Sequence, residues 1–153
     1  MYKFHRRCWK KIAGSLNVTE RRIIPAVAYT EEDLNYQDSD CRTNREQNDH
    51  AARPEIKGRF DLTGFETVFL GYPIWWGKAP RIIFTFLESY DFGGETIVSF
   101  GTSGSISITA SVTEIRAAKP GVIALDVRRF STSVSQDEID DWVKHIVMKG
   151  DKQ

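Results

Sequence analysis

Hydrophobic and polar positions along this chain fall into blocks whose period switches between two and 3.6, and the blocks recur in a fixed order. Thr67-Val-Phe-Leu70 is a short apolar run that, with its flanks, predicts a strand over 66–72. Ile82, Ile83, Phe86 and Leu87 then share one face of a predicted helix over 80–90. Pro80 stands at its first turn, where a missing N–H costs nothing, and Gly93-Gly94 breaks it. A strand over 96–100 and a helix over 107–118 follow, the helix ended by Pro120-Gly121. A strand over 122–127 leads to a last helix over 136–148. Ile139, Trp142, Val143, Ile146 and Val147 form its apolar stripe, and Ser135 and Glu138 have capping-box spacing. Strands alternating with helices at this spacing imply βαβ units and a parallel sheet covered on both faces.

The first half is less regular. A strand is predicted over 22–27, and Pro25 inside it argues for a sheet edge. From 29 to 58 the chain is polar, and a loop of that length is expected to hide a helix near 41–48 or to cover a site. Residues 11–17 read as a short helix remnant. Ahead of them, Lys3, Arg6, Arg7, Lys10 and Lys11 are interleaved with Tyr2, Phe4 and Trp9, and residues 1–13 read as an atypical N-terminus.

Length and composition narrow the class without choosing a chemistry. The 153 residues make one domain, with a short tail over 149–153. Lys+Arg and Asp+Glu both number 21, so nothing in the charge balance favours nucleic acid or a membrane surface. No apolar run reaches the length of a transmembrane helix, and a cytoplasmic location is the expectation. Cys8 and Cys41 have no ligand-like spacing, so no zinc site or disulfide framework is expected.

Candidate chemistry sits in two strand-end loops. Gly71-Tyr-Pro-Ile-Trp-Trp-Gly-Lys-Ala-Pro80 carries two adjacent tryptophans between glycines, a platform for a flat ring at the carboxyl end of a strand. The plain alternative is one core tryptophan and one loop cover. Gly101-Thr-Ser-Gly-Ser105 offers free backbone N–H groups and hydroxyls, and should face the first loop across one crevice. Stacking on one side and hydrogen bonding on the other suit a flavin. A hydrolase elbow at Gly101-x-Ser103-x-Ser105 fails at its final glycine. His145, taken as lying on the buried side of the last helix, has nothing marking it as its base. Asp137, Glu138, Asp140 and Asp141 are explained by the dipole at a helix start, and Arg42, Arg45 and Arg53 by solvation of a loop.

Residues 66–90, with the wording GYPIWWGKAPRIIFTFLESYDF, resemble the flavodoxins. The likeness extends back to Tyr29-Thr-Glu-Glu-Asp-Leu-Asn-Tyr36 and Ala52-Arg-Pro-Glu-Ile56. It runs forward through Thr102-Ser-Gly104 to Trp142, about the last four-fifths of the chain. The resemblance implies a flavodoxin-like doubly wound parallel sheet of order 2-1-3-4-5, noncovalent FMN, and one- or two-electron transfer to a redox partner. By position, Tyr72, Pro73, Ile74, Trp75 and Trp76 would pack on the isoalloxazine, and Gly77 would lend backbone contacts. Thr102, Ser103 and Gly104 would line the other wall. No catalytic side chain and no metal is implied.

The chain departs from the flavodoxin pattern at its start. The first strand and its Ser/Thr/Gly-rich phosphate loop have no counterpart before Lys10-Lys-Ile-Ala13. Three lost phosphate hydrogen bonds at roughly 1.5–3 kcal/mol each would cost about 4–9 kcal/mol. That is on the order of three to six decades in Kd. The alternative function is therefore a truncated module that binds FMN weakly or not at all. An absent first strand would also leave unpaired sheet edges, which a partner strand or a dimer through those edges would fill. A quinone or nitro-compound reductase is a third reading, and it would need a nicotinamide pocket that the sequence does not display.

Overall fold

Three parallel strands carry the computed structural model, which describes residues 2–18, 20–102, 107–119, 123–131 and 133–150. The elements in chain order are α1 (Tyr2–Leu16), α2 (Arg42–Asn48), β1 (Thr67–Pro73), α3 (Arg81–Glu88), β2 (Thr96–Thr102), α4 (Thr109–Ala118), β3 (Ile123–Phe130) and α5 (Gln136–Gly150). The sheet has the order β1-β2-β3, the relative order of the last three strands in a 2-1-3-4-5 sheet. Thr67 pairs with Thr96 and Pro73 with Thr102, so the carboxyl ends of β1 and β2 finish side by side.

The two-residue period of the strands divides the core. Leu70, Tyr72 and Ile97 belong to the cluster that also holds Ile83, Phe86 and Leu87 of α3 and Val112 and Ile115 of α4. Val98, Phe100 and Phe130 pack instead with Ile139, Trp142, Val143 and Ile146 of α5, and with Cys8 and Ile12 of α1. Trp142 is the hub of this side, with the rings of Phe69, Phe100 and Phe130 at 5.9, 6.0 and 5.1 Å. Gly71 is required here, because a Cβ would lie 2.4 Å from Cζ of Phe100.

The structure corrects the reading of the N-terminus. Residues 2–16 form one continuous helix rather than an atypical arm followed by a remnant over 11–17. The basic residues obscured its apolar stripe, in which Cys8, Trp9, Ile12 and Leu16 recur at helical spacing and meet the α5 side of the core. Lys11 Nζ donates to the Val134 carbonyl at 2.7 Å, and Ser15 Oγ to Asp140 Oδ1 at 2.5 Å. Bonds from Ser15 and Gln136 hold the Asp140 carboxyl below its ordinary range.

Residues 22–27 are not a strand either. Only Pro25 bridges, antiparallel to Ile56, through Ala26 N–H to Glu55 O at 2.8 Å and Lys57 N–H to Ile24 O at 2.7 Å. Pro25 has no N–H for a ladder, and Ile24 and Val27 stay exposed. Within 29–58 the expected helix is present as α2. Its N-cap is Cys41, whose Sγ accepts from Asn44 N–H at 3.5 Å. At α5, Ser135 Oγ accepts from Glu138 N–H at 3.1 Å, while the Glu138 carboxylate takes Arg128 at 3.0 Å. The anticipated capping box is therefore made on one side only.

β1 is an edge. Thr96 N–H donates to Glu66 O and Ile74 N–H to Thr102 O, so even-numbered backbone groups face β2. Those of Thr67, Phe69 and Gly71 then point outward, where no strand among the described residues pairs with them. Burial agrees: only Leu70 and Tyr72 of β1 are buried, whereas every residue of β2 after Thr96 is. Among the described residues no helix is long and apolar enough to cross a membrane.

Candidate functional site

The tryptophan loop is a tight turn. Trp75 N–H donates to Lys78 O at 3.0 Å, and Lys78 N–H returns to Trp75 O at 2.9 Å. Between them Trp76 has φ 49° and Gly77 φ 78°, the two left-handed positions of a type I′ turn. Glycine adopts that conformation freely. A tryptophan there costs about 1–2 kcal/mol. The turn points the two indoles apart. Trp76 projects outward and is 44% exposed. Trp75 is half-buried, with its ring edge-on to Tyr29 at 5.6 Å and its carbonyl accepting from Gln47 Nε2 at 3.0 Å.

The other residues expected at the site separate in the same way. Tyr72 lies fully inside the core, its hydroxyl 2.7 Å from Ser111 Oγ of α4, and burial pushes its phenol pKa up. It presents no face to a ligand. Pro73 and Ile74 are half-buried, and the Ile74 side chain occupies the space above Gly101, with Cδ1 2.7 Å from where a Cβ would sit. Thr102 is buried beside Pro73 at the end of β2. Ser103, which is also the serine of the hydrolase elbow, and Gly104 lie outside the described residues. His145 is exposed on α5 and not on its buried side.

The loop arginines are structural ties. Arg42 pairs with Glu46 at 2.7 Å and lies 4.1 Å over the Tyr29 ring. Arg45 binds the Asp40 carbonyl, and Arg53 grips both oxygens of Glu88 at 2.8 Å. Among the described residues no group of His, Cys, Asp and Glu is arranged to hold a metal.

Electrostatics beneath the turn converge on Glu114 of α4. Its Oε1 lies 3.0 Å from Lys78 Nζ, 3.5 Å from Arg81 Nη2 and 3.8 Å from His50 Nδ1. The Arg81 side chain is 3% exposed and lies 4.9 Å over the Phe84 ring. One carboxylate thus joins the turn, the start of α3 and the 49–53 loop. On the other side of the turn is a cleft of about 460 Å³, walled by Trp76, Lys78, Tyr36 and the amides of Asn44, Gln47 and Asn48.

The sequence profile of the flavodoxins matches residues 5–146. The chain belongs to the flavodoxin family. Among solved structures, a candidate flavoprotein from Bacteroides uniformis ATCC 8492 shares 36% identity at a TM-score of 0.87, covering 92% of this chain and 90% of that one. A second, from Bacteroides eggerthii DSM 20697, shares 34% identity at a TM-score of 0.87 over 94% and 91%. A flavoprotein in complex with FMN from Lactobacillus acidophilus NCFM has the same fold at 20% identity and a TM-score of 0.64, over 90% and 89%. No curated protein matches the chain.

Trp76 is the exposed ring of the turn, while the Lys78 ammonium is engaged by Glu114. Reading the sequence found the tryptophans and missed Glu114, Arg81, His50 and Gln47. Glu114 is 36 residues from Lys78, and no spacing rule joins a helix carboxylate to a lysine in a distant turn.

Proposed function

We propose that this flavodoxin-family protein binds FMN noncovalently and serves as an electron carrier. The observation that carries the reading is the Trp75–Lys78 turn. It fixes an open indole at the carboxyl end of β1, where parallel α/β sheets receive ligands, beside the end of β2. A protein of the same fold is known in complex with FMN. When bound, the flavin supplies the one- or two-electron chemistry, and the chain supplies binding and a local field.

The role of each residue follows from its contacts. Trp76 gives a flat apolar face. Glu114 holds the Lys78 ammonium at 3.0 Å and so ties the turn to α4. The core packing of Tyr72 and Ile74 keeps the turn rigid from beneath.

Titration of FMN into the full chain, followed by flavin fluorescence, tests the reading. Saturable quenching is expected, weakened roughly tenfold or more by Trp76→Ala, the order expected for loss of one stacked aromatic. No saturable quenching by a folded chain would overturn electron transfer and leave the weakly binding module in its place.

A further inference from the structure

Tyr29 is half-buried and joins the Trp75 indole to α2. Its ring meets the indole edge-on, with centroids 5.6 Å apart. Its hydroxyl donates to Glu46 Oε2 at 2.6 Å, the short distance of a bond to a charged acceptor. Glu46 is held in place from its other oxygen, where Arg42 Nε donates to Oε1 at 2.7 Å. The Arg42 guanidinium also lies 4.1 Å over the Tyr29 ring and donates to the Val27 carbonyl at 3.0 Å. Fastening α2 to the loop before it needs only the arginine. A phenol proton aimed at a carboxylate, one ring away from the tryptophan turn, is a further feature.

These contacts are the ones a phenol needs in order to give up an electron. A phenol that loses an electron becomes a strong acid, and a base within hydrogen-bond distance takes its proton. Glu46 stands at that distance. Arg42 makes the proton loss obligatory. A cation at 4.1 Å attracts the negative face of a neutral ring and repels a positively charged one, so the ring is tolerated as a neutral radical and not as a radical cation. The path for the electron is short as well. Trp76 is exposed, Trp75 follows it directly in the turn, and Trp75 touches Tyr29.

We propose that Trp75, Tyr29 and Glu46 form a proton-coupled relay that carries oxidising equivalents away from the strand-end turn. A one-electron oxidant of the peroxyl-radical class takes an electron from the Trp75 indole, directly or through the neighbouring Trp76. With a proton from water it leaves as a hydroperoxide. The Trp75 radical cation takes an electron from Tyr29, whose hydroxyl proton passes to Glu46 Oε2. Trp75 is then restored, Tyr29 is a neutral phenoxyl radical and Glu46 is a neutral acid. An ascorbate-type reductant from solution returns the electron to Tyr29, and Glu46 returns the proton. The relay does not rest on the FMN reading, because its oxidant comes from solution.

Pulse radiolysis of the full chain tests the relay without a flavin. Azidyl radicals oxidise indoles in preference to phenols, so an indolyl radical should form first and convert to a phenoxyl radical, each followed by its own absorption. The conversion should be first-order and independent of protein concentration. Tyr29→Phe and Trp75→Phe should each remove this fast phase. Glu46→Gln keeps an acceptor oxygen but no base, and should slow the conversion roughly a hundredfold, the low end of what a positioned base contributes. Should a variant fail to fold, the unaltered chain carries the test. Deuterium oxide should slow its conversion, and unfolding in urea should remove the fast phase, because only the fold brings Tyr29 to Trp75.

The relay is overturned if the folded chain shows no intramolecular conversion, or if Tyr29→Phe converts at the unaltered rate. It is also overturned if neither deuterium oxide nor Glu46→Gln changes the rate, which would leave the Tyr29–Glu46 bond as a tether of α2. A chain that does not take up FMN but passes this test would lose the proposed electron-carrier function and keep the relay. FMN binding in a chain without the conversion would do the reverse.

Discussion

At the residue scale, conformation and charge decide more than residue type. Trp76 occupies a left-handed position that asparagine tolerates far better. Trp76→Asn is therefore expected to raise unfolding stability by about 1 kcal/mol in urea titration, while flavin binding weakens. A loss on both counts would contradict the assignment of strain. Arg81 is held inside the protein by Glu114, and a buried charge stripped of its partner is expensive. Glu114→Ala should cost about 2–4 kcal/mol, measured by the same titration, and should free the Lys78 ammonium. A change under 0.5 kcal/mol would mean that Arg81 finds another partner. At this scale the tryptophan pair was legible from its wording, because two indoles between glycines after an apolar run are rare. The direction of each ring was not. It follows from φ at Trp76 and Gly77, which places Trp75 against Tyr29 and Trp76 in the open.

At the scale of elements, packing between neighbours dominates. β1 and the α5 side of the core approach through Gly71, and any side chain there meets the Phe100 ring. Gly71→Ala should destabilise by about 2–3 kcal/mol, and a thermal melt would show it. An unchanged melting temperature would mean that the Phe100 ring can swing aside. The 49–62 segment is fastened to α3 by Arg53 on Glu88, and that hydrogen bond holds the Glu88 carboxyl below its ordinary value of 4.5. A lowered folded pKa contributes stability that is complete above about 4.5 and is lost as pH falls through the folded value. The Glu88 side chain is 42% exposed, so the contribution stays under about 1 kcal/mol. Arg53→Ala should flatten the fall in stability below pH 4.5 and change the slope little above it. α3, α4 and α5 and all three strands were legible in the sequence, because apolar runs and apolar positions at helical spacing alternate along it between Gly and Pro breaks. α1 was hidden because basic residues interrupt its apolar positions along the sequence, and the 22–27 segment looked like a strand because local β-propensity says nothing about whether a neighbour exists.

At the scale of the whole molecule, the outer edge of β1 is the feature with consequences. Thr67, Phe69 and Gly71 direct their backbone N–H groups away from β2, and Pro73 ends the row of donors. Antiparallel pairing of two such edges centred on Phe69 would use all of these donors at once. We expect the mass in solution to rise with concentration toward twice the 17.5 kDa of the chain. Thr67→Pro, at the exposed first residue of β1, should return it to the single-chain value. One mass at every concentration would rule the dimer out.

The alternation of strands and helices, the parallel sheet covered on both faces and the aromatic strand-end loop were determined by the sequence alone. They depend on local periodicity, and period survives without knowledge of neighbours. Only the tertiary structure decided that Tyr72 is core, that Trp75 and Trp76 part company, and that Glu114 gathers Lys78, Arg81 and His50. It also decided that Tyr29 meets both Trp75 and Glu46. Each of these joins groups far apart in the chain, and such meetings are set by how helices seat on a sheet.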